Sequence, residues 1–518
     1  MKKMGLVLFS GLLVALSFPT LLFGWHLPNL GFLAWVGLVP LIFAIQEASP
    51  RDAFKYGYFF GVISFGISWY WLYNALHTFG HIPPATSVVV LALLILMMSL
   101  YPAAACALAR YFVLKNRGPL LIWLPIFWTL SEFARNYTPF SGFPWSPLSM
   151  SQTGYLPLVQ FADITGAYGV SFLMVWVNVW LARGTGYLMR NQVPRVSPQT
   201  VTTLLLLALT LGYGFYRLNG VEAESAKAPY LKVGMIQPNI PQNEKWDETT
   251  QAKQKAIFSN LVAKVEKSAD LIIWPEASFT DNLWLTDDKL APADIGLLGR
   301  RGQRPYTLLG LNFVTLRNNR ERYFNSAALL DSSGNILDKY HKAHLVPFGE
   351  YNPLQKWLPF IKPIAAIGDF EAGEAYRPLA LENFKVAPLI CYEDIFPEIS
   401  KSMSRKGASL LINITNDAWY GVSSAPYQHL ALAVLRSIET KRTMVRATNT
   451  GVTAVILPSG KVAVQSPLFE EGIVIFQTPL LTQQTVYTKL GDWFIAACFI
   501  FTLWQLVRIY VQRTQRPV

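Results

Sequence analysis

Leu389-Ile390-Cys391-Tyr392-Glu393-Asp394 follows Lys385 to Pro388 and reads as a short apolar strand that ends on a cysteine. Beyond it, Pro397 suits the first turn of a helix and Gly407 the residue past that helix's end. A thiol between a strand's C-terminal end and a helix N-terminus faces the positive end of the helix dipole. Its pKa is expected to fall there, which favours the nucleophilic thiolate. The alternative is a small buried hydrophobe, the ordinary state of a free cysteine. The rest of the chain has to choose between the two.

Of the three cysteines, Cys106 and Cys498 lie in apolar runs, which leaves Cys391 alone in the part of the chain with globular texture. No disulfide framework can be built within that part, and no CxxC or Cys/His metal spacing is present. The 518 residues leave room for more than one domain. The composition is 52% hydrophobic and only 15% charged, which points to a membrane protein. The apolar residues are concentrated in residues 1–220, thin out over the next stretch, and return in one run near the end. Runs that approach the ~20 residues needed to cross a bilayer as a helix are Gly5–Phe23, Leu30–Ile45, Tyr56–Leu76, Ser87–Val113, Leu120–Phe133, Phe161–Ala182, Val201–Tyr216 and Trp493–Tyr510. Met1-Lys2-Lys3 before the first run could open a cleaved signal peptide. With no convincing small-x-small site before Pro19, a retained helix is preferred.

Outside residues 229–488 there are 17 Lys/Arg and 7 Asp/Glu, so most of the net charge of +12 belongs to membrane-flanking segments. That is a topology signal and argues against nucleic acid as a partner. Lys2/Lys3, Arg51/Lys55, Arg110/Lys115/Arg117, Arg183/Arg190/Arg195 and Arg508/Arg513/Arg516 fall on one side, while the intervening loops carry only Arg135. The positive side is cytoplasmic, so both termini are expected there and the globular region on the outer face. The outer loop from Asn136 to Tyr155 contains Gly142-Phe143-Pro144-Trp145. It reads either as an interfacial aromatic belt or as the border of a lipid-accessible chamber.

From Tyr230 the texture changes. Strands are expected at Tyr230–Gln237, Asp270–Trp274, Tyr306–Asn312, Asn325–Leu330, Ile336–Tyr340, Val386–Ile390, Leu410–Thr415, Val445–Thr448, Val452–Leu457, Val462–Gln465 and Gly472–Phe476. Helices are expected at Glu248–Lys267, Asp394–Arg405 and Tyr427–Arg442. The alternation indicates an α/β domain with a mixed sheet.

Three stretches set a reactive side chain just after a strand: Trp274-Pro275-Glu276, Tyr340-His341-Lys342 running on to Leu345-Val346-Pro347-Phe348-Gly349-Glu350, and Cys391-Tyr392-Glu393. Loops at the carboxyl ends of strands form the crevice of such folds. A thiol there needs a base, which a carboxylate can supply, and the oxyanion made by its attack needs a positive donor, which an ammonium can supply. His341 and His344 lack a third ligand at a useful spacing, so no metal is expected.

With these motifs in the order Glu, Lys, Cys, residues 230–480 resemble the nitrilase (carbon–nitrogen hydrolase) superfamily. With seven spans before them and one after, the whole chain is similar to the bacterial apolipoprotein N-acyltransferases. The resemblance implies an eight-helix integral membrane bundle plus an αββα sandwich. The domains would be 1–220 (seven helices), 229–480 (periplasmic, catalytic) and 490–512 (the last helix), in the bacterial inner membrane. It also implies Glu276 as general base, Lys342 as oxyanion stabiliser and Cys391 as nucleophile. Glu350, Glu393 and Tyr392 would support them, and Trp246 would contact substrate, as would Trp145 if the aromatic loop borders the substrate chamber. The acyl donor would be a membrane phospholipid, phosphatidylethanolamine by resemblance, and the acceptor the free α-amine of a diacylglyceryl-cysteine on an apolipoprotein. No cofactor is implied. A membrane-tethered amidase would need only one or two anchors. A transporter would need charges inside its spans, where only Glu132, Asp163 and Arg110 stand, at the edges.

Overall fold

The computed structural model describes residues 2–22, 24–115, 117–192, 196–296, 305–317, 319–354 and 370–514. Phe23, Arg195 and Arg516, which enter the topology reading above, lie outside them. The chain forms two compact units: Met1–Tyr73 with Ile82–Leu218 and Leu490–Val518, and Asn74–His81 with Asn219–Lys489.

The first unit is helical. Among the described residues, three stretches are long and apolar enough to cross a membrane by length and composition: Pro84–Leu114, Pro198–Lys227 and Trp493–Gln512. Gly31–Ile45 and Leu120–Ala134 are shorter apolar helical stretches. Lys2–Leu16, Pro50–Ser68 and Ala167–Met189 overlap the other three expected spans in part. Ser49 starts Pro50–Ser68 by accepting the Asp52 amide on its hydroxyl at 3.1 Å, with Pro50 in the first turn. Along this helix Gly57 and Gly61 are four apart on one face. A Cβ at Gly57 would lie 2.6 Å from the Pro102 carbonyl, and one at Gly61 2.9 Å from Ser99, so the helix backbones approach as only small residues allow.

Four expected spans are interrupted. Within Tyr56–Leu76 the helix Pro50–Ser68 ends before a separate turn at Leu72–Asn74, and Phe161–Ala182 is split at Gly166 into Ala162–Thr165 and Ala167–Met189. The stretch Leu30–Ile45 is a 3-10 turn at Gly31–Trp35 followed by a helix at Val39–Ile45. Asn178 from a neighbouring helix satisfies the gap, accepting the Leu38 amide and donating to the Ala34 carbonyl, each at 2.9 Å. Backbone freed inside an apolar bundle needs such a partner. The stretch Ser87–Val113 is two helices, Pro84–Met98 and Leu100–Leu114, meeting at Ser99. Asp163 accepts Arg217 Nε at 2.9 Å and the Tyr213 hydroxyl at 2.8 Å, which gives this edge charge a structural partner.

The second unit holds two sheets. One runs Gly472–Pro479, Tyr230–Gln237, Leu271–Ile273, Tyr306–Arg317, Arg320–Leu330, Ile336–His341, with Phe279–Trp284 also paired to Tyr306–Arg317. The other runs Val462–Gln465, Ala454–Ile456, Thr443–Thr448, Leu410–Thr415, Phe384–Ile390, Leu379–Leu381. The central pairings are parallel, as in Phe384–Ile390 with Leu410–Thr415 and Leu410–Thr415 with Thr443–Thr448, and the edges are antiparallel. Leu410–Thr415 is buried throughout, as a central parallel strand covered on both faces must be. Helix Gln251–Val265 packs on the first sheet, and Pro397–Arg405 and Ala425–Thr440 pack on the second. The sheets meet face to face, with the Thr448 hydroxyl donating to Gln237 Oε1 at 3.2 Å. The result is a four-layer αββα sandwich, whose first half is closed by Phe258 stacked on Trp274 at 4.3 Å and 8°.

Candidate active site

The crevice sits where strands of both sheets end. Leu271–Ile273 leads to Glu276, Ile336–His341 to Lys342, Phe384–Ile390 to Cys391 and Leu410–Thr415 to Asn416. Lys342 Nζ donates to Glu350 Oε1 at 2.9 Å and lies 3.7 Å from Glu276 Oε1. One ammonium therefore joins the two carboxylates. Asn325 Nδ2 donates to both, at 2.8 Å to Glu276 Oε1 and 3.1 Å to Glu350 Oε1. Glu276 Oε2 accepts the Asn416 amide at 3.1 Å, and Glu350 Oε2 accepts the Val346 amide at 2.8 Å. Each carboxylate is thus aimed by donors from two different elements, and all three charged groups are buried. The Pro275–Ala277 turn lies so close to the neighbouring strand that a Cβ at Gly310 would come within 2.1 Å of the Pro275 carbonyl.

Cys391 is 7% exposed and adopts φ +52°, a left-handed conformation that a side chain with a Cβ adopts at a cost of about 1–3 kcal/mol. Two side chains hold that bend. Asn413, from the adjacent strand, donates to the Leu389 and Cys391 carbonyls at 3.1 Å each. Glu393 reaches back to accept the Ile390 amide at 2.8 Å. Its other oxygen accepts the Tyr340 hydroxyl at 2.8 Å and the Ala343 and His344 amides at 2.9 and 3.1 Å. Glu393 therefore ties the cysteine turn to the loop that begins at Lys342. Burial raises its pKa to about 7, against the pull of those donors and of the Lys342 charge.

The thiol departs from the expectation set by its position in sequence. Burial, and then the charge of Glu276, push the Cys391 pKa up, while Lys342 and a hydrogen bond from Thr415 pull it down. The structure that follows the cysteine is a single 3-10 turn, Cys391–Ile395, and the α-helix begins only at Pro397. Such a turn has too few aligned peptides to supply the dipole the sequence suggested. A thiol held neutral beside a carboxylate suits proton transfer to that carboxylate during attack. Burial also works against the Lys342 ammonium, but Glu350 and Glu276 outweigh it and hold its pKa above the ordinary lysine range. Lys342 is thus a fixed cation.

Tyr392 is buried against Phe396, ring centroids 5.0 Å apart. Trp246 is 37% exposed at the end of the Asn239–Trp246 segment. Trp145 belongs to the other unit, where it is 1% exposed and packs against Trp71 at 4.9 Å and Phe143 at 5.9 Å. His341 Nδ1 pairs with the Ser326 hydroxyl at 2.7 Å, while His344 lies on Phe396 at 3.8 Å. Among the described residues no group of three or more His, Cys, Asp or Glu is arranged to hold a metal ion.

Several groups of the site carry no local sequence signal. Asn325, Asn413 and Asn416 orient the charged residues, and nothing in a lone asparagine's neighbours announces that. Behind the cysteine turn lies a fully buried cluster. His429 bonds Asp394 at 2.6 Å and Asp417 at 3.0 Å, and Arg446 pairs with Asp394 and lies 3.6 Å from Asp417. Burial opposes a charged His429, yet Asp394 outweighs it and its pKa rises to about 9. Two cations thus face two carboxylates, so the cluster closes without net charge.

Two family models cover most of the chain. The N-terminal domain of apolipoprotein N-acyltransferase matches residues 10–180, and the carbon–nitrogen hydrolase domain matches 232–486. The apolipoprotein N-acyltransferase of Geobacter metallireducens is 39% identical over 494 residues, spanning 94% of this chain and 92% of its own. The chain belongs to the apolipoprotein N-acyltransferase family. The Shewanella oneidensis member is 32% identical over 471 residues, 86% of this chain and 85% of its own. A carbon–nitrogen hydrolase structure from Helicobacter pylori aligns at a TM-score of 0.36 and 14% identity, over 55% of this chain and 99% of that one. Family membership makes the chain a membrane-associated N-acyltransferase of lipoprotein biosynthesis whose second unit has the nitrilase-like fold.

Proposed function

We propose that the enzyme moves an acyl chain from a membrane phospholipid, phosphatidylethanolamine by family resemblance, to the α-amine of diacylglyceryl-cysteine on an apolipoprotein. In the first step Glu276 takes the Cys391 proton as sulfur attacks the ester carbonyl. Lys342 stabilises the oxyanion that forms. Collapse breaks the ester C–O bond, leaves a thioester on Cys391, and returns the proton to the departing lysophospholipid oxygen. In the second step the neutral amine attacks the thioester, an amide forms, and the thiolate recovers its proton through Glu276. Ping-pong kinetics follow from the shared covalent intermediate. Glu350 orients Lys342, Glu393 holds the cysteine turn, Tyr392 flanks it, and Trp246 contacts the lipid substrates.

The observation that carries this reading is one buried ammonium joined to two carboxylates at the strand ends that also carry a buried cysteine in a left-handed turn. Both substrates are lipids, which accounts for a membrane unit. We infer eight spanning helices, seven within residues 1–220 and one within 490–512. The catalytic region 229–480 then faces the periplasm and both termini the cytoplasm. The charge asymmetry of the loops supports that orientation.

The test is product analysis. Purified enzyme is given phosphatidylethanolamine and a diacylglyceryl-cysteine peptide, either with a free amine or N-acetylated. The free-amine peptide should gain one acyl chain with equimolar lysophospholipid, and the acetylated peptide none. Acylation of the blocked peptide would contradict the assignment.

A further inference from the structure

Lys245 is buried in the same crevice, 5% exposed, on the segment that ends at Trp246. Its Nζ donates to the backbone carbonyl of Glu276 at 2.9 Å. It also lies 5.9 Å from the Trp246 ring centroid. Among the described residues no carboxylate lies within ion-pair distance of it, in contrast to Lys342, which meets two. An ammonium has three donors, and the Glu276 carbonyl takes one. A buried cation with so little compensation is costly, and such groups concentrate where charge has work to do.

We propose that Lys245 is a positioning residue of the acyl-transfer site. Through the Glu276 carbonyl it fixes the turn that carries the base, and its ammonium provides a second positive charge beside the thiol. The inference rests on the roles proposed above for Glu276 and Cys391. Ala277, next to the anchored carbonyl, has φ +45°, so the turn is held in a conformation that needs support. The Lys245 charge acts on both Glu276 and Cys391, and it favours sulfur reaching the thiolate state as the proton leaves.

A purely structural lysine would leave a different trace. A neutral amine still donates to a carbonyl, so the anchor alone would survive deprotonation, whereas the charge would not. Burial lowers the Lys245 pKa to about 8, with Glu276 and Cys391 opposing the shift. Its charge is therefore complete below that value and lost as pH rises through it. Cys391 and Lys342 are both pushed up, away from this window. Glu393, at about 7, shapes the lower side of the profile.

The experiment follows the first half-reaction alone, with full-length enzyme and phospholipid but no amine acceptor, reading acyl adduct on Cys391 by intact mass against pH. In wild type the rate should fall as pH rises through about 8. Lys245→Arg should carry the rate past that point, because an arginine stays charged. Lys245→Met should be ~10-fold slower at neutral pH and flat across the window. If the methionine variant fails to fold, the arginine profile decides. An unmoved high-pH fall in Lys245→Arg, or Lys245→Met within about twofold of wild type and still falling, would overturn the inference while leaving the acyl-enzyme intact. Absence of adduct in wild type would instead remove the parent mechanism, and this inference with it.

Discussion

Cys391→Ala is expected to lower acyl transfer by ~1,000-fold or more, because it removes the only atom on which the proposed intermediate can form. The loss should appear in the first half-reaction, with no lysophospholipid burst, rather than as weaker substrate binding. The substitution deletes one buried sulfur and keeps the turn, which Asn413 and Glu393 hold through the backbone. Folding should therefore be preserved, and thermal unfolding of the purified variant checks this. A variant that keeps a burst of more than about a tenth of wild type would rule out a cysteine nucleophile.

Lys342→Met is expected to cost acylation about 100–1,000-fold, the usual effect of losing an oxyanion donor. It also leaves Glu276 and Glu350 buried without their shared cation. Breaking a buried pair in this way destabilises by about 3–5 kcal/mol, so loss of activity by itself is ambiguous. The double variant Lys342→Met/Glu350→Gln removes one of the stranded charges and keeps the hydrogen-bonding shape. It should recover much of the thermal stability and none of the acylation. Recovery of both would reduce Lys342 to a structural counter-ion.

The parts of the fold that could be read from sequence share a physical cause. Tyr230–Gln237, Leu410–Thr415 and Val462–Gln465 begin and end where expected, because each run is bounded by residues that favour turns or solvent: Pro229 and Pro238, Ser409 and Asn416, Lys461 and Ser466. Phe279–Trp284 and Leu379–Leu381 were not anticipated. The first is polar at its middle, and the second is a three-residue edge strand. In the helical unit, hydropathy marked apolar runs but not their breaks. The gap after Trp35 exists because Asn178 can satisfy it, and Asn178 is 140 residues away from Leu38.

The crevice divides in the same way. Glu276, Lys342 and Cys391 stood out because each follows a strand, which is a local property, whereas Glu350 was given a role only through the family resemblance. The left-handed turn at Cys391 was hidden, since no glycine or asparagine marks it. So was the raised thiol pKa, which depends on burial and on a glutamate 115 positions earlier. Lys245 was hidden too. In sequence it is one lysine between Glu244 and Trp246, and only folding removes its water.

The most direct test of the central claim is a chase. Enzyme preloaded with phospholipid is freed of excess lipid, its acyl adduct is measured by intact mass, and the free-amine diacylglyceryl peptide is added. The account predicts a hydroxylamine-labile adduct on Cys391 that disappears at the rate the N-acylated peptide appears, mole for mole. An adduct that persists while peptide is acylated, or acylation by enzyme that never carried an adduct, would contradict it.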